Sequence, residues 1–167
     1  VVDELKANYR RDASLWAQEY MCQAVADTDK MFTKPMLRCE PKVRSWQAVF
    51  SMCDPARTTN RQSALTGKAV WSWEGNRLVF WEATAESWLP DQIIADLFAT
   101  QQKYGCTWLG FEEDGLNQWA LQPIRAEMLR RRTMLPLLPV KAPRGKLDFI
   151  SGLQPYMNHG EVTFAGA

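Results

Sequence analysis

One stretch of the sequence decides how the rest of the chain is interpreted: Ser45-Trp46-Gln47-Ala48-Val49-Phe50-Ser51-Met52-Cys53-Asp54-Pro55-Ala56. Its apolar residues favour a buried strand over residues 46–53. Pro55 has no N–H to donate to a neighbouring strand, so the strand ends there. Asp54 is therefore expected at the mouth of a sheet. Taken alone, a strand-ending Asp-Pro pair more often makes a turn or caps a helix than performs chemistry.

The composition is that of one globular domain with a sizeable core, because 46% of the 167 residues are hydrophobic. The net charge of +1 gives no overall field that would attract nucleic acid. The charges are nevertheless segregated. Residues 86–114 carry six acids and one base, and residues 122–148 carry seven bases and two acids. This pattern fits a cation site beside a polyanion-binding surface, although charge runs are usually solvated helix faces.

The four cysteines contain no Cys-x-x-Cys pair, and we interpret them as reduced thiols of a cytosolic protein. No apolar run approaches the roughly 20 residues that a membrane-spanning helix needs. No signal peptide is present, so we expect a protein that is neither secreted nor bound to a membrane.

The order of predicted elements is three meander strands, a helix, a strand, a helix and a strand. This is the order of the ribonuclease-H-like α/β fold, and it predicts a mixed five-stranded central sheet, an antiparallel meander followed by parallel strands, flanked by helices. A short helix, a loop and a last edge strand are expected to follow. The predicted strands are 46–53, 64–73, 78–81, 107–111 and 136–140, the helices are 89–104, 116–132 and 146–153, the loop is 156–159, and the edge strand is 161–164.

Two carboxylates are predicted to meet in this fold. Its first and fourth strands are parallel neighbours, and ligands bind beyond the carboxyl ends of such strands. Asp54 ends the first strand and Glu112 ends the fourth, so we predict both as catalytic residues and metal ligands. Their mutual repulsion would be relieved by Mg²⁺ or Mn²⁺. A two-metal site, with ions ~4 Å apart, would support phosphodiester cleavage.

Glu112 is preferred over Glu113 as the ligand because it directly follows the apolar strand, whereas strand alternation places Glu113 on the opposite side. Glu113 remains a possible additional acid.

Three basic residues, Lys141, Arg144 and Lys146, form a loop around a proline and a glycine. They are candidates for phosphate contacts with DNA, and a solvated loop is an equal alternative. Gly67-Lys68 resembles the end of a phosphate-binding P-loop. The earlier glycine and the following Ser or Thr of that motif are missing, so this interpretation is rejected.

Several motifs together resemble the nuclease domain of the large terminase subunit of tailed bacteriophages or their prophages. The first is Leu15-Trp16-Ala17-Gln18-Glu19-Tyr20-Met21-Cys22, followed by Val25-Ala26-Asp27 and Met31-Phe32. The second is Asp54-Pro55-Ala56 with its polar loop and the following strand. The third is Trp108-Leu109-Gly110-Phe111-Glu112 with Gly115-Leu116-Asn117, and the basic run from Lys141 to Phe164 is also similar.

The resemblance implies a metal-dependent endonuclease that cuts concatemeric viral DNA in the cytoplasm of an infected bacterium. Its implied partners are double-stranded DNA, the small terminase subunit and the portal protein. Residues 1–44 would be a helical linker from a missing ATPase domain, and residues 45–167 the nuclease domain. The family's third acidic site, often an Asp-Asp pair opening a C-terminal helix, would lie beyond Ala167. We therefore expect this chain to lack one metal ligand on which the activity of the fragment would depend.

Two other functions fit the same residues. One is another ribonuclease-H-like nuclease, of the resolvase or transposase type. The other is a non-catalytic module that docks DNA or the portal, in which the carboxylates only cap turns.

Overall fold

The computed structural model describes residues 31–41, 48–56, 65–113, 118–141 and 150–166. The chain divides into two compact units, Val1–Met36 and Leu37–Ala167. In the first unit the described residues include a short 3₁₀ helix, Lys34–Met36. Of the helical linker predicted over residues 1–44, residues 1–30 and 42–44 lie outside the described residues.

The second unit is built on one mixed sheet. Its elements in chain order are β1 (Cys39–Pro41), β2 (Val49–Asp54), β3 (Thr66–Glu74), β4 (Arg77–Glu86), α1 (Pro90–Tyr104), β5 (Trp108–Glu112), α2 (Gln118–Arg131), β6 (Leu137–Val140), α3 (Gln154–His159) and β7 (Val162–Gly166).

The sheet has the strand order β1-β7-β4-β3-β2-β5-β6. Strands β2, β3 and β4 form the antiparallel meander, and β5 and β6 continue it in parallel from β2. This arrangement confirms the predicted ribonuclease-H-like fold, including the parallel contact between its first and fourth predicted strands.

The predicted number of five central strands is too low, because β1 and β7 complete a seven-stranded sheet. Strand β1 has three residues and ends at Pro41, so it is too short to show a periodic pattern. Strand β7 was expected at an edge, but it lies between β1 and β4 and pairs with both in parallel. This pairing places Cys39–Pro41, part of the expected linker, within the sheet.

Helices α1 and α2 follow the sequence closely, whereas the predicted helix over 146–153 lies largely outside the described residues. Helix α1 begins at Pro90, where a missing N–H costs nothing, and the Leu89 N–H donates to the Gln92 side chain at 2.7 Å. The predicted loop at 156–159 is wrong, because these residues belong to α3. A proline in its first turn starts this helix, and Gly160 ends it in the left-handed conformation, with φ of 73°. Across the described ranges, no helix is both long and apolar enough to cross a bilayer.

The two faces of the sheet differ. Helices α1 and α2 cover one face and form a core with alternate residues of the strands, including Val49, Cys53, Val70, Leu109 and Phe111. The other face carries aromatic side chains in mutual contact, Phe50, Trp71, Phe80, Trp108 and Phe164. We call these the helix face and the aromatic face.

Candidate active site

Asp54 and Glu112 end neighbouring parallel strands. The register between β2 and β5 includes Cys53 opposite Phe111, and Asp54 and Glu112 are the next residue of each strand. Cys53 and Phe111 are both buried in the core of the helix face. Alternation therefore directs Asp54 and Glu112 together to the aromatic face, on strands about 4.8 Å apart. The fold brings the two strand ends together as expected, and the roles of the two carboxylates stay predictions.

The backbone at Asp54 is held by its neighbours on both sides. Asp54 is the last residue of β2 and pairs with Gly67 of β3 in the antiparallel ladder. Pro55, directly after it, is buried and lines a small cavity with residues of α1 and α2, including Ile93 and Ile124. The first proline after the strand thus serves as a packing anchor as well as a strand terminator.

Gly110 allows β5 to approach β2 closely beneath the carboxylates. A Cβ atom at this position would lie 2.7 Å from the Met52 Sδ and 3.1 Å from the Ser51 carbonyl oxygen. Because both distances are shorter than ordinary contacts, a larger residue at this position would force the Met52 side chain and the β2 backbone to shift.

Glu113 is half-buried and continues the edge of the sheet. Its N–H donates to the Val140 carbonyl at 2.7 Å, which extends the contact between β5 and β6 by one residue. Alternation places its side chain opposite to that of Glu112. The preference for Glu112 over Glu113 stays a prediction.

Lys141 lies at the same end of the sheet as the two carboxylates. It is exposed and directly follows Val140, which is in register with Glu112. Arg144 and Lys146 lie outside the described residues. One of the three predicted DNA-binding residues is thus placed beside the candidate site.

The chemistry of the two carboxylates suits a hard divalent cation. Mg²⁺ and Mn²⁺ prefer oxygen ligands and are commonly held by one or two carboxylates together with water and phosphate. Among the described residues, no three His, Cys, Asp or Glu side chains form a group that could hold a metal. Asp54 and Glu112 supply two carboxylates, the number by which Mg²⁺ is commonly held together with water and phosphate.

Cys53 does not contribute a thiolate to this site. Burial, followed by the negative charges of Asp96 and Asp54, raises the pKa of the Cys53 thiol to about 12. The thiol is protonated at neutral pH and lies in the core of the helix face, so it is not a nucleophile at the candidate site.

Sequence reasoning missed a polar cluster on the helix face, formed by Lys68, Glu82, Asp96 and Thr100. The Lys68 Nζ lies 2.6 Å from Glu82 Oε1 and 2.8 Å from Asp96 Oδ1, and it donates to Thr100 Oγ1 at 3.2 Å. Only 4% of the Lys68 side chain is exposed. We call these four residues the Lys68 cluster.

Glu82 is directed to the helix face by an irregularity in β4. The register between β3 and β4 shifts between Val70 and Trp71, which leaves Trp81 as an extra residue. Because of this bulge, Trp81 and Glu82 both face the helices, and the Trp81 Nε1 donates to Ser72 Oγ at 2.9 Å.

Burial is the largest single influence on the pKa values of Lys68 and Glu82, but their hydrogen bonds together outweigh it. Burial disfavours the Lys68 ammonium, but hydrogen bonds to Asp96 and Glu82 outweigh it and raise the Lys68 pKa. Burial likewise disfavours the Glu82 carboxylate, yet hydrogen bonds from Lys103, Lys68 and Tyr104 lower its pKa to about 2. Both groups are therefore charged at neutral pH, as a paired arrangement requires.

A signal for the Lys68 cluster was present in the sequence. Thr100 lies on the same helical stripe as Ile93, Leu97 and Tyr104, and a buried polar residue on an apolar stripe needs a partner. The identity of that partner could not be read from the stripe, since Lys68 lies on a different element, strand β3.

Solved structures with a similar fold were found among viral terminases. The large terminase of a thermophilic bacteriophage aligns with a TM-score of 0.54 at 13% identity, over 95% of this chain and 39% of that one. The large terminase of bacteriophage HK97 aligns with a TM-score of 0.57 at 11% identity, over 81% and 34%. The human cytomegalovirus terminase nuclease domain aligns with a TM-score of 0.51 at 16% identity, over 71% and 63%.

This chain therefore spans about two fifths of the thermophilic-phage terminase and a third of the HK97 terminase. No model of a known protein family matches the sequence, and a comparison with curated proteins finds no match. At these identities the likeness concerns the fold, and the chain has the ribonuclease-H-like fold of the terminase structures.

Proposed function

We propose that this chain is the nuclease domain of a viral DNA-packaging terminase and that it cuts DNA with the help of a divalent metal. The observation that carries the proposal is the placement of Asp54 and Glu112 at the adjoining carboxyl ends of β2 and β5. Open α/β sheets bind their ligands at this place. The cytomegalovirus structure of the same fold is a terminase nuclease domain, which supports this choice among ribonuclease-H-like functions.

In this proposal Asp54 and Glu112 hold Mg²⁺ or Mn²⁺. A divalent cation would polarise a phosphate oxygen and lower the pKa of an attacking water. The strands supply the positioning, because each carboxylate follows a packed strand and is fixed before a substrate arrives. Lys141 would contact phosphate beside the carboxylates, and Arg144 and Lys146 would extend this sequence-independent contact.

The remaining partners are also proposals. The substrate would be double-stranded DNA in the cytoplasm of the infected bacterium. Residues 1–44 would link the nuclease to an ATPase domain, and the small terminase subunit and portal would assemble with the whole protein.

Plasmid cleavage in the presence of Mn²⁺ tests the catalytic roles. The assay uses the chain extended beyond Ala167, where the resemblance places a third acidic ligand. We expect Asp54→Asn and Glu112→Gln each to reduce the cleavage rate about a hundredfold or more, since even residues outside the ligand set commonly cost ten- to hundredfold. Glu113→Gln tests the preference for Glu112 over Glu113 and should retain most activity. Undiminished cleavage by Asp54→Asn would overturn the assignment.

Metal binding by the same extended chain distinguishes an enzyme from a docking module. Titration calorimetry should show Mn²⁺ binding that Asp54→Asn weakens and Glu113→Gln leaves largely unchanged. If the unaltered chain binds no Mn²⁺ at millimolar concentration, the carboxylates serve as turn caps and the docking function is favoured.

A further inference from the structure

A buried threonine anchors the chain immediately after Asp54. Thr66, the first residue of β3, has no exposed surface. Its Oγ1 accepts a hydrogen bond from the Ala56 N–H at 3.0 Å. Ala56 lies two residues beyond Asp54, outside β2.

This hydrogen bond extends the contact between β2 and β3 past the last backbone pair. That pair is Asp54 with Gly67. Pro55 has no N–H, so Ala56 carries the first backbone donor after Asp54. Because the Thr66 side chain takes up this donor, Asp54 lies between two fixed points instead of at a loose strand end.

Thr66 itself is part of a rigid segment. Alternation directs Thr66 and Lys68 to the helix face on either side of Gly67. Lys68 is held there by Asp96 of α1 at 2.8 Å. The Thr66 hydroxyl, which accepts the Ala56 N–H, thus belongs to a strand that is paired with β2 and β4 and held by the buried Lys68–Asp96 ion pair. A hydrogen bond to this strand restricts the motion of the chain just after Asp54.

We propose that Thr66 is a positioning residue, which holds Asp54 in the orientation needed for metal binding through its hydrogen bond to Ala56. The proposal rests on the proposed function, since it assigns Asp54 a metal ion. Residues that orient a ligand typically change metal affinity ten- to hundredfold when they are altered.

The test compares two substitutions that differ in one hydroxyl group. Thr66→Val keeps the shape and removes the acceptor, whereas Thr66→Ser keeps the acceptor. Calorimetric titration of the extended chain used in the cleavage assay should show Mn²⁺ affinity reduced about tenfold in Thr66→Val and close to the original in Thr66→Ser. Thr163→Val is a matched control, because Thr163 is also a fully buried strand residue but its Oγ1 has no hydrogen-bond partner among the described residues. This control should leave the affinity unchanged.

Amide hydrogen exchange of the metal-free protein provides an independent measurement. Thr66→Val should accelerate exchange of the Ala56 amide selectively, and Thr66→Ser should restore its protection. The positioning role is refuted if a folded Thr66→Val variant binds Mn²⁺ as tightly as the unaltered protein. It is also refuted if the exchange rate of the Ala56 amide is the same in both proteins. If the unaltered chain binds no Mn²⁺, the proposed function fails, and with it the role in metal binding, whereas the Ala56 measurement still decides whether Thr66 anchors the strand end.

Discussion

Replacing Lys68 by methionine should destabilise the protein strongly. Methionine retains most of the length of the side chain but removes the cation from a position where 4% of the lysine is exposed. Glu82 would keep its contacts with Lys103 at 2.7 Å and Tyr104 at 2.9 Å. Asp96 would keep the longer hydrogen bond from Thr100, at 3.4 Å, and lose the ammonium at 2.8 Å.

The magnitude follows from these contacts. Removing one partner of a buried ion pair costs ~3–5 kcal/mol, because the remaining charge stays desolvated. The side chains of Asp96 and Glu82 are 20% and 22% exposed, so water can partly replace the lysine. We therefore expect the lower end of the range, a loss of about 3 kcal/mol in the free energy of unfolding.

Urea denaturation at 25 °C, followed by tryptophan fluorescence and circular dichroism, measures this loss. Lys103→Met is the matched control, since Lys103 binds the same Glu82 carboxylate but is 63% exposed. It should cost at most about 1 kcal/mol. The reasoning is refuted if Lys68→Met costs no more than Lys103→Met, because burial of the pair would then have no energetic consequence.

Two further predictions concern Glu82 and Gly110. The pKa of Glu82 is about 2 in the folded protein against an ordinary value of 4.5, so its stabilising contribution is complete above about pH 5 and is lost as the pH falls towards 2. Urea titrations between pH 6 and pH 3 should show a decline on the order of 2 kcal/mol in the free energy of unfolding, and a smaller decline in Glu82→Gln. An equal decline in both proteins would contradict the lowered pKa of Glu82. Gly110→Ala should lower the thermal midpoint and reduce the free energy of unfolding by ~1–3 kcal/mol, because the new Cβ would clash with the Met52 sulfur and the Ser51 carbonyl oxygen. Met52→Ala should relieve part of this loss if the sulfur contact dominates, and no relief would assign the cost to the backbone carbonyl.

Local signals were sufficient to predict the central part of the fold. The end of β2 follows from Asp54-Pro55, since proline cannot donate to a ladder. Helix α1 follows from Pro90 and the apolar spacing after it. The order of these elements then restricts the sheet to few topologies, because a crossover helix joins parallel strands.

Short elements escaped prediction for a physical reason. Strand β1 has three residues, and its place in the sheet comes from pairing with β7, at the far end of the chain. Helix α3 has six residues and no apolar stripe long enough to show a helical period. Such elements are stabilised by contacts that only the folded chain supplies.

The local sequence specifies the chemistry available at the candidate site, a carboxylate at the end of each of two apolar strands. The folded chain specifies what surrounds these groups. The registers of β2 with β5 and β3 place Glu112 on one side of Asp54 and Gly67 on the other. The hydrogen bond from Ala56 to Thr66 and the burial of Lys68 depend on residues 10 or more positions apart in the chain. Local patterns specify which residues a strand presents, but only the pairing of distant strands specifies which residues meet.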